Sequence, residues 1–456
     1  MLLLLPLVPL LAIASASPHL ERRACAHDNC LRAFIKSAAA AAPFCASYTA
    51  ASTAATASLL PAYATQCANS PARVASACAC LPAAISSTST VPAPTSTVST
   101  TTSAAAAAAC TVTAYADIAP AVAACTNIVL QDIFAPSNSS IDLSKLQANS
   151  VVTFAGTTTF GFTNRSSFDP ITIGGAGVTI TAEPDAVIDG NGQAYWDGLG
   201  SNGGVPKPNH FIVLSKLTSN SVVKNLHIIN WPVHLFSISG CSNVEMYDLH
   251  LNNSAGDAPN ARSAGLAAAH NSDGFDVSSC TNFTIRDSVV INQDDCVAVT
   301  SGDHVTVDNM YCDGGHGLSI GSVGGKSNNN VTNISFTNSQ VLNSQNGPRI
   351  KSNYNTTGFI SNILYSNITV SNISIYGIDL QQDYLNGGPT GNPSNGVIIQ
   401  NVLFENIHGT ANSAARDYYV LCGAGSCSNV SFVDVSITGG GIASACNYPA
   451  EGCPGP

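Results

Sequence analysis

Asn282-Phe283-Thr284-Ile285-Arg286-Asp287-Ser288-Val289-Val290 is one of three closely similar stretches in the chain. Ser221-Val222-Val223-Lys224-Asn225-Leu226-His227-Ile228 and Asn243-Val244-Glu245-Met246-Tyr247-Asp248-Leu249-His250-Leu251 precede it. Related units recur at His304, Val331, Ile360 and Val397 and end at Asn429-Val430-Ser431-Phe432. Each is a short run rich in Val, Ile and Phe set among Asn, Ser and Gly, too short to bury its own apolar face. Such units become stable by stacking, each covering its neighbour. The pattern therefore predicts an all-β chain whose turns stack into a parallel β-helix. A β-sandwich would carry hairpin signals between paired strands; the period and the Asn-rich turns favour the solenoid.

Four polar clusters stand out against this nearly uncharged background. They are Asn271-Ser272-Asp273-Gly274-Phe275-Asp276, Asn292-Gln293-Asp294-Asp295-Cys296, Gly314-Gly315-His316-Gly317 and Gly347-Pro348-Arg349-Ile350-Lys351. Asp273 and Asp294 are 21 positions apart, and Asp294 and His316 are 22 apart, the period expected if each coil contributes one cluster. Parallel strands lie about 4.8 Å apart, so the spacing predicts three aspartates, a histidine and two cations in one cleft.

Composition limits what surrounds this domain. Of 456 residues only 9% are charged, with a net charge of −11, which argues against nucleic acid as a partner. Residues 1–16 form a Leu-rich run ending Ala14-Ser15-Ala16, with the length and small-residue ending of a cleaved secretory signal. No later run reaches the ~18–20 apolar residues of a membrane span, so the expectation is a secreted, extracellular protein. In that compartment the 16 cysteines read as disulfides rather than metal ligands.

Six of them, Cys25, Cys30, Cys45, Cys67, Cys78 and Cys80, mark a small helical module over residues 24–84. Residues 85–109 are Ser, Thr, Pro and Ala, an extended O-glycosylated linker by composition. The β-helix then occupies residues 110–456. Within it, proximity along the coils predicts Cys110 with Cys125, Cys296 with Cys312, Cys422 with Cys427, and Cys446 with Cys453. Cys241 and Cys280 occupy similar places in successive units, as a bridge or as two buried thiols. Ten Asn-x-Ser/Thr sequons, from Asn138 to Asn429, fall mainly at turns and mark the chain as a glycoprotein with a minority of sites occupied.

Taken in order, Asn271-Ser272-Asp273, Asp294-Asp295, Gly315-His316-Gly317 and Arg349-Ile350-Lys351 make the chain from Cys110 to Cys453 resemble the fungal polygalacturonases, which hydrolyse pectin. Asp-Asp and Asn-x-Asp are common turn sequences on their own; the ordered set carries the resemblance. Ile188-Asp189-Gly190-Asn191-Gly192 and Tyr376-Gly377-Ile378-Asp379 followed by Gln381-Gln382-Asp383-Tyr384 agree with it. The resemblance implies a right-handed parallel β-helix and a monomeric enzyme. It implies endo-acting hydrolysis of α-1,4-linked galacturonan with inversion, no metal or other cofactor, and plant polygalacturonase-inhibiting proteins as partners. By the same resemblance Asp294 is the general acid, Asp273 and Asp295 hold and deprotonate the water, and Asn271 and Tyr376 touch sugar. An exo-acting or xylogalacturonan-cleaving relative, a pectate lyase on the same architecture, and a non-catalytic pectin-binding β-helix are the alternatives.

The chemistry also follows from the residues. Inverting hydrolysis needs a protonated carboxyl on one face of the glycosidic bond and a carboxylate on the other, roughly 6.5–9.5 Å apart to admit water. Crowded aspartates raise the pKa of at least one of their number, so a proton is retained in mild acid. Adjacent residues of a regular strand face opposite sides, so Asp294 and Asp295 reach one cleft only if the backbone bends. His316, between glycines that let the chain approach closely, can bond the acid or a sugar hydroxyl. Arg349 and Lys351 point the same way from a strand while Ile350 points inward, two cations suited to a carboxylate.

Overall fold

The computed structural model describes Cys45, Val74 and Cys78, and residues 109–454 apart from Gly387. The chain divides into two compact units, Met1–Ser103 and Ala104–Pro456. The expected signal sequence, nearly all of the expected cysteine module and all of the expected linker but Ala109 lie outside the described residues; within the first unit, Cys45 is bonded to Cys78.

The second unit is a parallel β-helix. One sheet runs through the repeat stretches, with strands Cys280–Ile291, Gly302–Asp313, Asn330–Leu342, Gly358–Ile373, Val397–Ala411 and Cys427–Thr438 paired in succession. The other carries His210–Ser215, His234–Ser239, Phe275–Ser278, Val297–Val299, Leu318–Val323, Pro348–Asn353, Tyr376–Leu385 and Arg416–Leu421 in that order. Among the described strands only Gly388–Pro389 pairs antiparallel, against Tyr376–Leu385.

Burial follows the period of two. In Gly302–Asp313, Val305, Val307, Met310 and Cys312 face the core while Thr306 and Asp308 face out. Equivalent aromatics then stack from coil to coil: Phe336, Tyr365, Phe404 and Phe432 have ring centroids 4.7, 5.2 and 5.0 Å apart. The Tyr365 hydroxyl crosses the core to donate to the Leu318 and Arg349 carbonyls, tying this stack to the opposite sheet. At the N-terminal end the helix Ile118–Ala124 buries Ile118, Ala121 and Val122, an i, i+3, i+4 stripe, against the first strands.

The coils are less regular than a fixed period of 21 or 22 suggests. Asparagines at equivalent turns are 39 residues apart between Asn243 and Asn282, 29 between Asn333 and Asn362, and 39 between Asn362 and Asn401. Extra residues leave the coil as loops, and the turns keep register by a side-chain ladder. Asn362 Nδ2 donates to Asn333 Oδ1, Asn401 to Asn362, and Asn429 to Asn401, at 2.9, 3.0 and 2.8 Å. All four have φ between 51° and 59°, the left-handed region that Asn tolerates better than most residues.

The structure bonds Cys110 to Cys125, Cys296 to Cys312, Cys422 to Cys427 and Cys446 to Cys453. It also joins Cys241 to Cys280, because the register that sets Ser242 beside Thr281 brings the preceding cysteines level. Among the described residues no helix is long and apolar enough to cross a membrane.

Candidate active site

Three of the four polar clusters sit at turns leading into neighbouring strands of the second sheet, and the fourth opens the next. Phe275 pairs with Val297, Val297 with Leu318, and Leu318 with Pro348. Two positions before those residues, Asp273, Asp295 and His316 fall in line, so the aspartate in step with Asp273 is Asp295 rather than Asp294. Asp294 reaches the same cleft because the strand ending at Ile291 does not resume until Val297, and the backbone bends at Gln293 and Asp294. Fully buried Asn292 holds that bend, its Nδ2 donating to the carbonyls of Ser272, Asp294 and Asp295.

Asp294 is held on three sides. Its Oδ1 accepts the Asp295 backbone N–H at 2.7 Å and lies 2.9 Å from His316 Nδ1. Its Oδ2 accepts Asn271 Nδ2 at 3.0 Å. Asn271 is itself fixed, its Oδ1 accepting from Ser201 and Asn202. The His316 backbone donates to the Asp294 carbonyl at 2.8 Å. At Gly317, where φ is 105°, a Cβ would stand 2.3 Å from the Gly347 carbonyl oxygen, so the glycine after His316 is required by close approach.

Asp295 is 2% exposed and faces the cations. Its Oδ2 accepts Lys351 Nζ at 2.7 Å, its Oδ1 accepts Ser319 Oγ at 2.6 Å, and Arg349 Nη1 lies 3.6 Å from Oδ1. Arg349 also donates through Nε to Asp379 Oδ2 at 3.2 Å, and both cations lie over the Tyr384 ring. Tyr376 stacks on Tyr419 with centroids 4.6 Å apart. A cleft of about 370 Å³ is lined by Asn271, Asp294, His316, Arg349, Lys351 and Tyr376, with Gln345, Asn346, Gln381 and Tyr384 added. Asp273 and Asp295 are buried and do not themselves line it.

The electrostatics divide the aspartates. Burial, and then the charges of Asp294 and Asp276, push Asp273 well above the usual carboxylate range. Burial also opposes the charge of Asp294, but His316 and Lys351 outweigh it and hold Asp294 below that range. These opposed shifts favour a retained proton on Asp273 over one on Asp294. His234 lies between carboxylates, 3.8 Å from Asp273 and 3.3 Å from Asp276. Burial lowers its pKa, but Asp273 and Asp276 prevail and raise it to about 10. Asp379 is fully buried, and burial, partly offset by Arg349, raises it to about 7.

Among the described residues, two side-chain groups bring potential metal-ligand atoms within 4.8 Å of one another: His210, His234 and Asp276, and Asp294, Asp295 and His316. In the second, Asp295 already faces the Lys351 ammonium; in the first, both ring nitrogens of His234 face carboxylates.

Sequence reasoning gave no role to His234, Asp379, Gln381 or Tyr384. Register carries the signal for two of them, since Arg349 pairs with Asp379 and Lys351 with Gln381 on one face of adjacent strands.

Comparison with known proteins matches this architecture. Residues 125–454 match the family model described as glycosyl hydrolases family 28. A probable endopolygalacturonase D of Emericella nidulans is 60% identical over 344 residues, 75% of this chain and 66% of the relative, so the chain spans just under two thirds of that protein. A probable endopolygalacturonase D of Neosartorya fischeri is 52% identical over 473 residues, covering 99% of this chain and 98% of the relative. Among solved structures, endopolygalacturonase I from Stereum purpureum complexed with two galacturonates aligns with a TM-score of 0.65 at 31% identity, over 74% of this chain and 96% of that one. With a family model covering most of the chain and a full-length relative at more than half identity, the chain belongs to glycosyl hydrolase family 28.

Proposed function

We propose that this chain is an endopolygalacturonase that hydrolyses α-1,4-galacturonosyl linkages of pectin with inversion. The observation that carries the reading is the meeting of acid and cation in one cleft, where Asp294 lies 2.9 Å from His316 while Lys351, at 2.7 Å, neutralises its neighbour Asp295. A polymer bearing one carboxylate per sugar needs such cations, and Arg349 and Lys351 are the pair that would receive it. Asp294 then protonates the leaving oxygen, Asp273 and Asp295 handle the attacking water, His316 tunes the acid, and Asn271 and Tyr376 help seat the sugar.

The proton must move for this to work. The raised Asp273 favours holding it, and Lys351 helps to keep Asp294 ionised. A galacturonate carboxylate placed against Lys351 and Arg349 cancels part of that positive field, raising Asp294 and letting the proton pass to it. Coupled carboxylates titrate as a pair, so one proton shared between Asp273 and Asp294 supplies the acid and frees the base.

The Leu-rich run at residues 1–16, together with six described disulfides, supports export to an oxidising compartment. The catalytic domain would follow a cysteine module over 24–84 and a linker over 85–109, acting as a monomer.

The test is a time course on de-esterified polygalacturonate with chelator present, following reducing ends, product sizes and ultraviolet absorbance. New reducing ends without absorbance, with early oligomers of mixed size, are expected. Monomer alone from the outset would replace the endo assignment with an exo one, and rising absorbance would mean β-elimination and end the acid and base assignments.

A further inference from the structure

We propose that Asp379 is a positioning residue for Arg349 whose negative charge, when present, competes with the substrate carboxylate for the guanidinium. The inference rests on the polygalacturonase reading above and concerns the same cleft.

Arg349 bridges two carboxylates. Its Nη1 faces Asp295 at 3.6 Å, and its Nε donates to Asp379 Oδ2 at 3.2 Å. Asp379 comes from the next coil, directly beside Arg349 in the parallel register, and is fully buried. The same Oδ2 accepts Gln381 Nε2 at 2.9 Å, whereas Oδ1 is buried with no hydrogen-bond partner among the described residues. That asymmetry separates orientation from charge. A neutral carboxyl with its proton on Oδ1 keeps both donors on Oδ2, so Arg349 stays aimed; an ionised carboxyl keeps the same contacts and adds a permanent counter-charge. A guanidinium facing a further internal anion attracts a galacturonate carboxylate less strongly than the same guanidinium without it.

The surroundings set where the change occurs. Arg349 and Lys351 on the preceding strand favour the anion. Burial opposes it most strongly, Asp383 on its own strand opposes it too, and the outcome is a value of about 7. Asp295, Tyr384 and Asp294 act on Arg349 in turn, Tyr376 on its own strand and Tyr419 on the following one face Asp379, and Tyr365 faces it from across the core. Well below pH 7 Asp379 is largely neutral, and Asp295 is the carboxylate left facing Arg349. Above it, the internal ion pair forms.

The experiment measures KM and kcat on polygalacturonate from pH 5 to 8 for the parent, Asp379→Asn and Asp379→Ala. The polymer's carboxylates are ionised across this range, so its own charge is constant. For the parent, KM should rise roughly three- to tenfold through pH 7, an interaction of about one pKa unit or less. Asp379→Asn, which keeps an acceptor for Nε without the charge, should hold the low-pH KM throughout. Asp379→Ala, which loses the acceptor, should have a raised KM at every pH. A KM rise in Asp379→Asn equal to the parent's overturns the proposal, as does an Asp379→Ala enzyme with the parent's KM. If Asp379→Asn fails to fold, the alanine variant and the parent profile still decide, since a flat parent KM also overturns it. Absence of any hydrolysis by the parent would instead refute the functional reading on which the proposal rests.

Discussion

Replacing Asp294 by Asn tests the centre of the mechanism, because the contacts around it allow the chemical loss to be separated from the structural one. The carboxylate accepts from the Asp295 N–H and from Asn271 Nδ2 and lies beside His316. An amide oxygen can keep the Asp295 bond, but its NH₂ group then meets Asn271 Nδ2, donor against donor. Asn271 cannot simply turn over, since its Oδ1 already accepts from Ser201 and Asn202. One unsatisfied donor pair costs about 1–3 kcal/mol, which a domain of this size survives. Removing the charge also relieves Asp273 of its repulsion by Asp294, a partial offset. The chemical loss is larger: a general acid contributes about 10²–10⁴-fold, or roughly 3–5.5 kcal/mol in the barrier. Arg349, Lys351 and Tyr376 are untouched, so KM should stay within about twofold. Reducing-end release from polygalacturonate at mildly acidic pH, with a thermal melt of the same sample, reads all three quantities. A kcat within tenfold of the parent in a folded variant would refute the role of Asp294 as acid.

Lys351→Ala removes the ammonium 2.7 Å from an Asp295 that is 2% exposed. KM should rise about tenfold or more, and stability should fall by roughly 3–5 kcal/mol because a buried charge loses its partner; an unchanged KM would contradict carboxylate recognition. His234→Gln should change how stability depends on alkali. The histidine's folded-state pKa is raised to about 10, so its contribution is fully present below its unfolded value near 6.5 and fades as pH rises through 10; the melting gap between parent and variant should close over that window, and a constant gap would reject it. Gly317→Ala should displace His316 and lower kcat well beyond KM, because the added methyl meets the Gly347 carbonyl oxygen at 2.3 Å; parent-like kinetics would show that the close approach is dispensable.

The fold was legible because stacking leaves a local mark. Each coil must present Val, Ile or Phe inward and turn at Asn or Gly, and both habits recur within a few residues, as at Asn243 and Asn282. The active-site clusters were legible for the same reason, since three of them occupy turns and the fourth opens a strand. What could not be read were partners supplied by another coil without a matching cluster. His234 faces Asp273 across a coil spacing of 39 residues set by the loop before Asn271, and Asp379 meets Arg349 only through strand register. Nor did the sequence distinguish Asp273 from Asp294 as proton holder. Both are aspartates in similar turns, and the difference lies in His316 and Lys351 standing beside one of them.

The variable spacing between coils has a consequence for how this molecule can change. Its asparagine ladder and aromatic stack fix where each turn sits, whether the intervening loop is short or long. A segment of loop can therefore be inserted or removed at the rim without shifting the reactive groups below it. Preference for polymer length or decoration is then free to diverge by exchange of whole loops, while the catalytic floor is inherited unchanged.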